Sequence, residues 1–214
     1  MERIICVLIG YMFGLFQTGY IYGKIHHMDI RKQGSGNAGT TNALRTMGWK
    51  AGAVTFLGDC FKCVFAIVAV HIIFGNSHGE ILPLLSMYAG MGAILGHNFP
   101  FYMNFKGGKG IAATAGLLLS TTNWYMVLIC LAAFLIMVGI TRYVSVGSLV
   151  VVVIYFFEIL YLGQSGALGM ESRYVHELYG IVIFLTLLAF YKHRANIKRL
   201  LNGTENKLSV GKSK

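Results

Sequence analysis

Charged residues are what this chain has least of. Asp, Glu, Lys and Arg make up 12% of its 214 residues, roughly half the share of a soluble domain, while 56% of the residues are hydrophobic. That balance excludes a soluble fold and marks an integral membrane protein, and the length fits one domain. Acidic side chains are the scarcest: 8 Asp and Glu stand against 18 Lys and Arg, for a net charge of +10. On a membrane protein such an excess marks cytoplasmic loops first and anionic lipid or phosphate ligands second. Nucleic acid is a poor third, because no soluble basic domain exists to carry it. Cysteine is sparse too. Cys6, Cys60, Cys63 and Cys130 all lie in apolar stretches. Cys60-Phe61-Lys62-Cys63 spells C-x-x-C, a redox pattern elsewhere, but no thioredoxin-like strand pattern is near it, so packing cysteines are expected.

Apolar spans run near 4–22, 52–74, 81–103, 124–141, 143–163 and 174–192, each close to the ~20 residues that cross a bilayer. The first is not read as a signal peptide: Arg3 is offset by Glu2, no A-x-A site follows, and the cations come after it. Residues 110–121 are apolar but make only about 18 Å of helix. Such a short helix still counts as a crossing if it starts inside the membrane from a protein-buried loop. Counting it predicts an all-α protein with seven transmembrane helices, the N-terminus outside and the C-terminus cytoplasmic. Fifteen of the 18 Lys and Arg then fall inside, the exceptions being Arg3, Lys62 and Arg173, in keeping with the positive-inside rule. Every polar cluster falls on the cytoplasmic side.

Four segments carry chemistry. The first is Gly34-Ser35-Gly36-Asn37-Ala38-Gly39-Thr40-Thr41-Asn42, closed by Arg45. Its G-x-G-x-x-G follows a membrane helix and a basic linker rather than a strand, so a dinucleotide fold is rejected and an anion cradle kept: glycines allow close backbone approach, hydroxyls and amides donate, and Arg45 supplies a fixed fork. The second, Phe105-Lys106-Gly107-Gly108-Lys109-Gly110, leads into the short helix with the logic of a phosphate loop, without Walker A spacing. Upstream, His97 is either an acid–base residue or a polar anchor of a helix end. The third, Arg142-Tyr143-Val144-Ser145-Val146-Gly147-Ser148, puts Ser145 and Ser148 on one helix face. The fourth is the tail from His193 through Asn196 to Glu205. Asp59 and Lys62, at i and i+3 in the second span, are read as a structural pair. Glu158 and Glu177 lie away from the polar loops and receive no catalytic role.

Together these motifs resemble the PlsY family of bacterial acyl-phosphate:glycerol-3-phosphate acyltransferases, over nearly the whole chain and in order. Ala38 and Thr40 stand where the family usually has Ile and Ala, and Cys63 where it often has Gly; the polar positions are kept. The resemblance implies a seven-helix enzyme of the bacterial cell membrane, with its active site facing the cytoplasm. It moves an acyl group from acyl phosphate to the 1-hydroxyl of sn-glycerol 3-phosphate, giving lysophosphatidic acid.

Both reactants carry phosphate, so two anion sites side by side are required, and the chain offers two glycine-rich cationic loops. Ser35, with Gly34, Gly36, Asn37, Gly39, Thr41 and Asn42, is expected at the acyl phosphate. Arg45, Lys106, Gly107, Gly108, Lys109, His193 and Asn196 are expected at glycerol 3-phosphate, supported by Ser145, Ser148 and Glu205. Ser35, Arg45, Lys109 and His193 form the expected catalytic set. No His-x-x-x-x-Asp pair exists, so either His193 or a substrate phosphate oxygen takes the hydroxyl proton; the resemblance favours the second. No metal, no cofactor and no obligate protein partner are expected, only the two substrates and membrane lipids. The rival is a transporter of a phosphorylated solute, but no half-to-half similarity is visible.

Overall fold

The computed structural model describes residues 1–208, so Lys212 and Lys214 of the charge census lie outside the described residues. Among the described residues all regular structure is helical: α1 Glu2–Gly14, α2 Thr18–Ile25, α3 Thr40–Met47, α4 Trp49–Phe74, α5 Leu82–Asn98, α6 Ile111–Thr121, α7 Trp124–Thr141, α8 Val144–Gln164, α9 Ser172–Lys192 and α10 Arg194–Leu201. Six stretches are long and apolar enough to cross a membrane: α1 with α2, then α4, α5 with its flanking turns, α7, α8 and α9. The apolar α6 is shorter than these six.

Small residues set the packing. In lipid, helices associate by close contact rather than by hydrophobic exclusion, and the most extensive pairing is α1 on α5. Gly10 and Gly14 of α1 face Ala89 and Ala93 of α5, while Gly92 and Gly96 of α5 face the backbone of Val7 and Tyr11. A Cβ at any of these glycines would overlap backbone of the opposite helix. Gly116 of α6 approaches the Cys60 carbonyl of α4 in the same way. α5 is the most enclosed span and α7 the least, which leaves Leu128, Leu135 and Ile140 of α7 turned outward as a lipid-facing surface. At one end of the bundle, Arg3 of α1 grips Glu177 of α9 at 2.5 and 2.8 Å, and Tyr88 of α5 donates to the same carboxylate at 2.6 Å. This clamp joins three helices. All four cysteines are free and buried, as packing residues should be.

The first span departs from expectation. It is not one helix over 4–22: the chain breaks at 15–17 between α1 and α2. A break leaves the last carbonyls of α1 without helical partners, and side chains supply them. Tyr102 donates to the Leu15 carbonyl at 2.6 Å, and Lys62 to that of Phe16 at 2.5 Å. The buried Gln17 amide donates to the carbonyls of Gly14 and His97 at 3.3 and 3.1 Å. Gln17 and Thr18 inside an apolar run were the sequence signal for this interruption. The segment 23–50 also differs from a plain loop, since α3 forms within it and α4 starts at Trp49.

The α1–α5 contact is open to test by single glycine changes. Gly92→Ala should cost about 1–3 kcal/mol by overpacking, because its Cβ has nowhere to go but the Val7 carbonyl. Gly139→Ala in α7, where a Cβ meets nothing within 4 Å, should be neutral or slightly stabilising. Thermal unfolding of both variants in detergent measures the contrast; equal midpoints would refute the packing account.

Candidate active site

The first glycine loop is built around Asn42. Gly34 and Gly36 take φ of +56° and +71°, which glycine alone adopts cheaply. Asn42, in the first turns of α3, accepts from the Ser35 N–H at 2.9 Å and donates to the carbonyls of Ile30 and Gln33 at 3.1 and 3.0 Å. The Asn37 side chain accepts from Gly39 N–H at 3.0 Å, and Gly36 N–H is bonded to the Gln33 carbonyl. Asn42 is buried and its amide fully engaged, so its expected role as a substrate ligand is corrected to that of a staple, and the N–H groups of Ser35, Gly36 and Gly39 serve the loop itself. What the loop presents outward is the exposed Ser35 side chain and α3, whose first-turn N–H groups have no side-chain cap. Thr41 and Arg45, four residues apart on α3, share a face.

The second loop also differs from a simple backbone cradle. Gly107 N–H donates to the Asn98 carbonyl at 3.2 Å and Gly108 N–H to that of His97 at 3.1 Å. A Cβ at Gly107 would strike the His97 carbonyl, and one at Gly108 the His97 ring. Both glycines are therefore there for close approach, and their expected donor role is corrected. Before them Asn104 and Phe105 hold φ of +52° and +58°, an unfavourable pair for non-glycine residues. Lys106 is exposed, whereas Lys109 turns inward. Gly110, at φ +86°, starts α6 with no side-chain cap, so the helix N-terminus beside Lys109 presents free donors.

Lys109 is where the segments meet. Its ammonium bonds the Asn196 side-chain oxygen. Asn196 Nδ2 donates to Glu205 Oε1 at 2.6 Å, Ser145 Oγ donates to the same oxygen at 3.1 Å, and Arg199 Nε donates to Glu205 Oε2 at 2.7 Å. The structure thus brings together Lys109, Ser145, Asn196 and Glu205, from three segments of the chain. Burial, then the charges of Arg199, Arg45 and Lys192, pull the Lys109 pKa down to about 8 against the opposing pull of Glu205. Burial alone would raise the Glu205 pKa, but the bonds from Asn196 and Arg199 prevail and hold it below the ordinary carboxylate value. Ser148 is buried and donates back to the Val144 carbonyl at 2.8 Å; its expected ligand role is corrected to a helix-internal one.

His193 ends α9 almost fully buried. Its Nδ1 lies 2.8 Å from the Ala189 carbonyl, which can only accept, so Nδ1 carries the proton and Nε2 is left as an acceptor. Burial, with the Lys109 charge next, lowers its pKa to about 4, so the ring is neutral at physiological pH. Two cations escaped the sequence reading as site residues. Arg199 sits three residues after Asn196 on α10, a spacing that places both on one face. Lys192 bonds the Asn98 carbonyl at 2.9 Å. Both had been counted only as topological charges.

On the bilayer side, a groove of about 530 Å³ opens between the α1–α2 break and α4, lined by Met12, Phe13, Phe16, Phe61 and Phe65 with Thr18 and Lys62 at its polar end. Gly19, next to Thr18, is where Ala38 of the first glycine loop rests.

The family model of glycerol-3-phosphate acyltransferase matches residues 4–203. The glycerol-3-phosphate acyltransferase of Clostridioides difficile (strain 630) is 41% identical over 98% of this chain and 97% of its own, and that of Chlorobaculum tepidum is 40% identical over 96% of each. The crystal structure of PlsY (YgiH), an integral membrane glycerol 3-phosphate acyltransferase, in its glycerol 3-phosphate form, superposes with a TM-score of 0.81 at 29% identity, covering 98% of this chain and 96% of that one. Its lysophosphatidic acid form gives 0.79 at 28% identity over 98% and 97%.

The low pKa of Lys109 predicts alkaline weakening of anion binding. Above about pH 8 the free protein loses this charge. Inorganic phosphate should bind about tenfold more weakly at pH 9 than at pH 7, and the loss should be smaller in Lys109→Arg. Phosphate titration by thermal shift at the two pH values reads it out; an equal loss in the Lys109→Arg protein would sink the assignment.

Proposed function

The chain belongs to the glycerol-3-phosphate acyltransferase family, and from that premise we propose its specific reaction: transfer of a fatty acyl group from acyl phosphate to the 1-hydroxyl of sn-glycerol 3-phosphate, releasing lysophosphatidic acid and phosphate. The observation that carries it is the Lys109 cluster: a buried ammonium with Arg45, Arg199 and Lys192 around it, which is a site for a phosphate. The uncapped helix starts beside Ser35 and Lys109 add donors for the two phosphates the reaction needs. The groove beside Thr18 takes the acyl chain, with its polar end toward the first glycine loop.

The chemistry then follows from positions. Arg45 and Lys109 hold the phosphate of glycerol 3-phosphate. The hydroxyl oxygen attacks the acyl carbonyl carbon, the bond from that carbon to the phosphate oxygen breaks, and phosphate leaves. His193 Nε2 accepts a hydrogen bond from the attacking hydroxyl and orients it. It is a weak resting place for the proton: its pKa is about 4, whereas a phosphate group has a second pKa of about 6. A difference of about two units favours phosphate roughly a hundredfold. The proton therefore ends on the phosphate of the acyl donor, and the substrate supplies its own base. Positioning and charge neutralisation are what the protein contributes.

Donor choice is the direct test. Full-length protein purified in detergent, given acyl phosphate and glycerol 3-phosphate, should release inorganic phosphate and form lysophosphatidic acid. Acyl-CoA at the same concentration should not substitute, because the loops form no adenine-recognising element. Equal rates with the two donors would refute the donor assignment.

The proposed orientation in the bacterial plasma membrane has seven crossings, α6 included, with both glycine loops and the tail on the cytoplasmic face. Exposed positions make the test clean. On a background free of Cys6, Cys60, Cys63 and Cys130, Asn76→Cys should react with an impermeant reagent in intact cells, whereas Lys106→Cys and Asn202→Cys should react only after permeabilisation. Labelling of Lys106→Cys from outside would overturn the topology.

A further inference from the structure

Within the spans, Asp59 and Lys62 of α4 do more than neutralise each other. The Lys62 ammonium, 5% exposed, has three acceptors: Asp59 Oδ1 at 2.8 Å, the Phe16 carbonyl at 2.5 Å and His97 Nδ1 at 2.8 Å. An ammonium has three protons, so each is used. Thr18 of α2 donates to the same Asp59 oxygen at 3.1 Å. Because Lys62 has only protons to offer, His97 Nδ1 must accept, and the neutral imidazole carries its hydrogen on Nε2. This is the opposite tautomer to that of His193. The Nε2 edge of His97 lies against Gly108, and the His97 and Asn98 carbonyls take the N–H groups of Gly108 and Gly107. Lys109 is the next residue.

We propose that Lys62 is a positioning residue for the second glycine loop: it fixes His97 in the Nε2–H tautomer, His97 seats Gly107 and Gly108, and that seat determines where the Lys109 ammonium stands. A pair serving only to cancel charge needs neither His97 nor the loop; here the third proton of Lys62 goes to the one side chain that lies against Gly108. The loop has little other support on this side, since its glycines carry no side chains and Lys106 is exposed. The kinetic consequence rests on the acyltransferase reading above; the tautomer does not.

Two variants and two readouts test this in the full-length protein. His97→Asn places an amide oxygen where Nδ1 stood, so Lys62 keeps its third acceptor, but the ring edge beneath Gly108 is gone. It should keep the wild-type unfolding midpoint and raise the KM for glycerol 3-phosphate about tenfold, equivalent to one lost charge-assisted contact, while the KM for acyl phosphate stays within about twofold. Lys62→Met should give the same selective rise if it folds; if it does not, His97→Asn decides. An unchanged glycerol 3-phosphate KM in folded His97→Asn overturns the proposal. Independently, 15N NMR of histidine-labelled protein, with His97 assigned by its loss in His97→Asn, should show Nδ1 unprotonated and Nε2 protonated. A protonated Nδ1 overturns the proposal whatever the activity. Absence of turnover by the wild type with acyl phosphate would count against the reaction assigned above and leave the tautomer result standing.

Discussion

A helix that breaks inside a bilayer exposes carbonyls that lipid cannot satisfy, and in this protein the cost is met by a single buried ammonium with two helpers. Lys62 takes the Phe16 carbonyl, Tyr102 the Leu15 carbonyl, and Gln17 the carbonyls of Gly14 and His97. Each of the three also touches the surroundings of the second glycine loop: Tyr102 stands in the turn before it, Gln17 donates to the His97 carbonyl, and Lys62 grips the His97 ring. The break, the ion pair and the loop are therefore one hydrogen-bonded unit. Removing the ammonium would orphan the Phe16 carbonyl and His97 Nδ1 and leave the Asp59 carboxylate with Thr18 alone, and unpaired polar groups in a low dielectric are what such a core tolerates least.

Around Lys109 the electrostatics run the other way. The charges of Arg199, Arg45 and Lys192 act on Lys109, and the carboxylate of Glu205 ties Arg199, Asn196 and Ser145 together, with Lys109 joined through Asn196. Burial first, and then the like charges around it, depress the pKa of Lys109. In the proposed phosphate site a bound anion would offset the mutual repulsion of these cations, and the hydrogen bonds of Glu205 set the geometry beforehand.

The glycines separate into roles that composition alone blends together. Gly34 and Gly36 are conformational, with positive φ. Gly107 and Gly108 are steric, cleared for His97. Gly10, Gly14, Gly92 and Gly96 are steric in another place, cleared for helix contact within the membrane. The starts of α3 and α6 carry no side-chain cap, whereas the N–H groups of Gly107 and Gly108 in front of α6 are already engaged.

Much of this was legible in the sequence. The apolar spans, the short α6 and the glycine-rich loops follow from local facts: apolar run length and the spacing of glycine and cation. The break at 15–17 was half visible, in Gln17 and Thr18. What the sequence could not reveal is which partner each polar group takes. Lys62 and His97 are 35 residues apart, Tyr102 and Leu15 are 87 apart, and so are Lys109 and Asn196. Whether a loop N–H is free or engaged, whether Asn42 is a ligand or a staple, and which nitrogen of His97 or His193 carries the proton depend on such contacts. Run length and spacing are properties of neighbouring residues, so the sequence determined them alone; hydrogen-bond pairing is a property of distant residues made adjacent, so only the tertiary structure decided it.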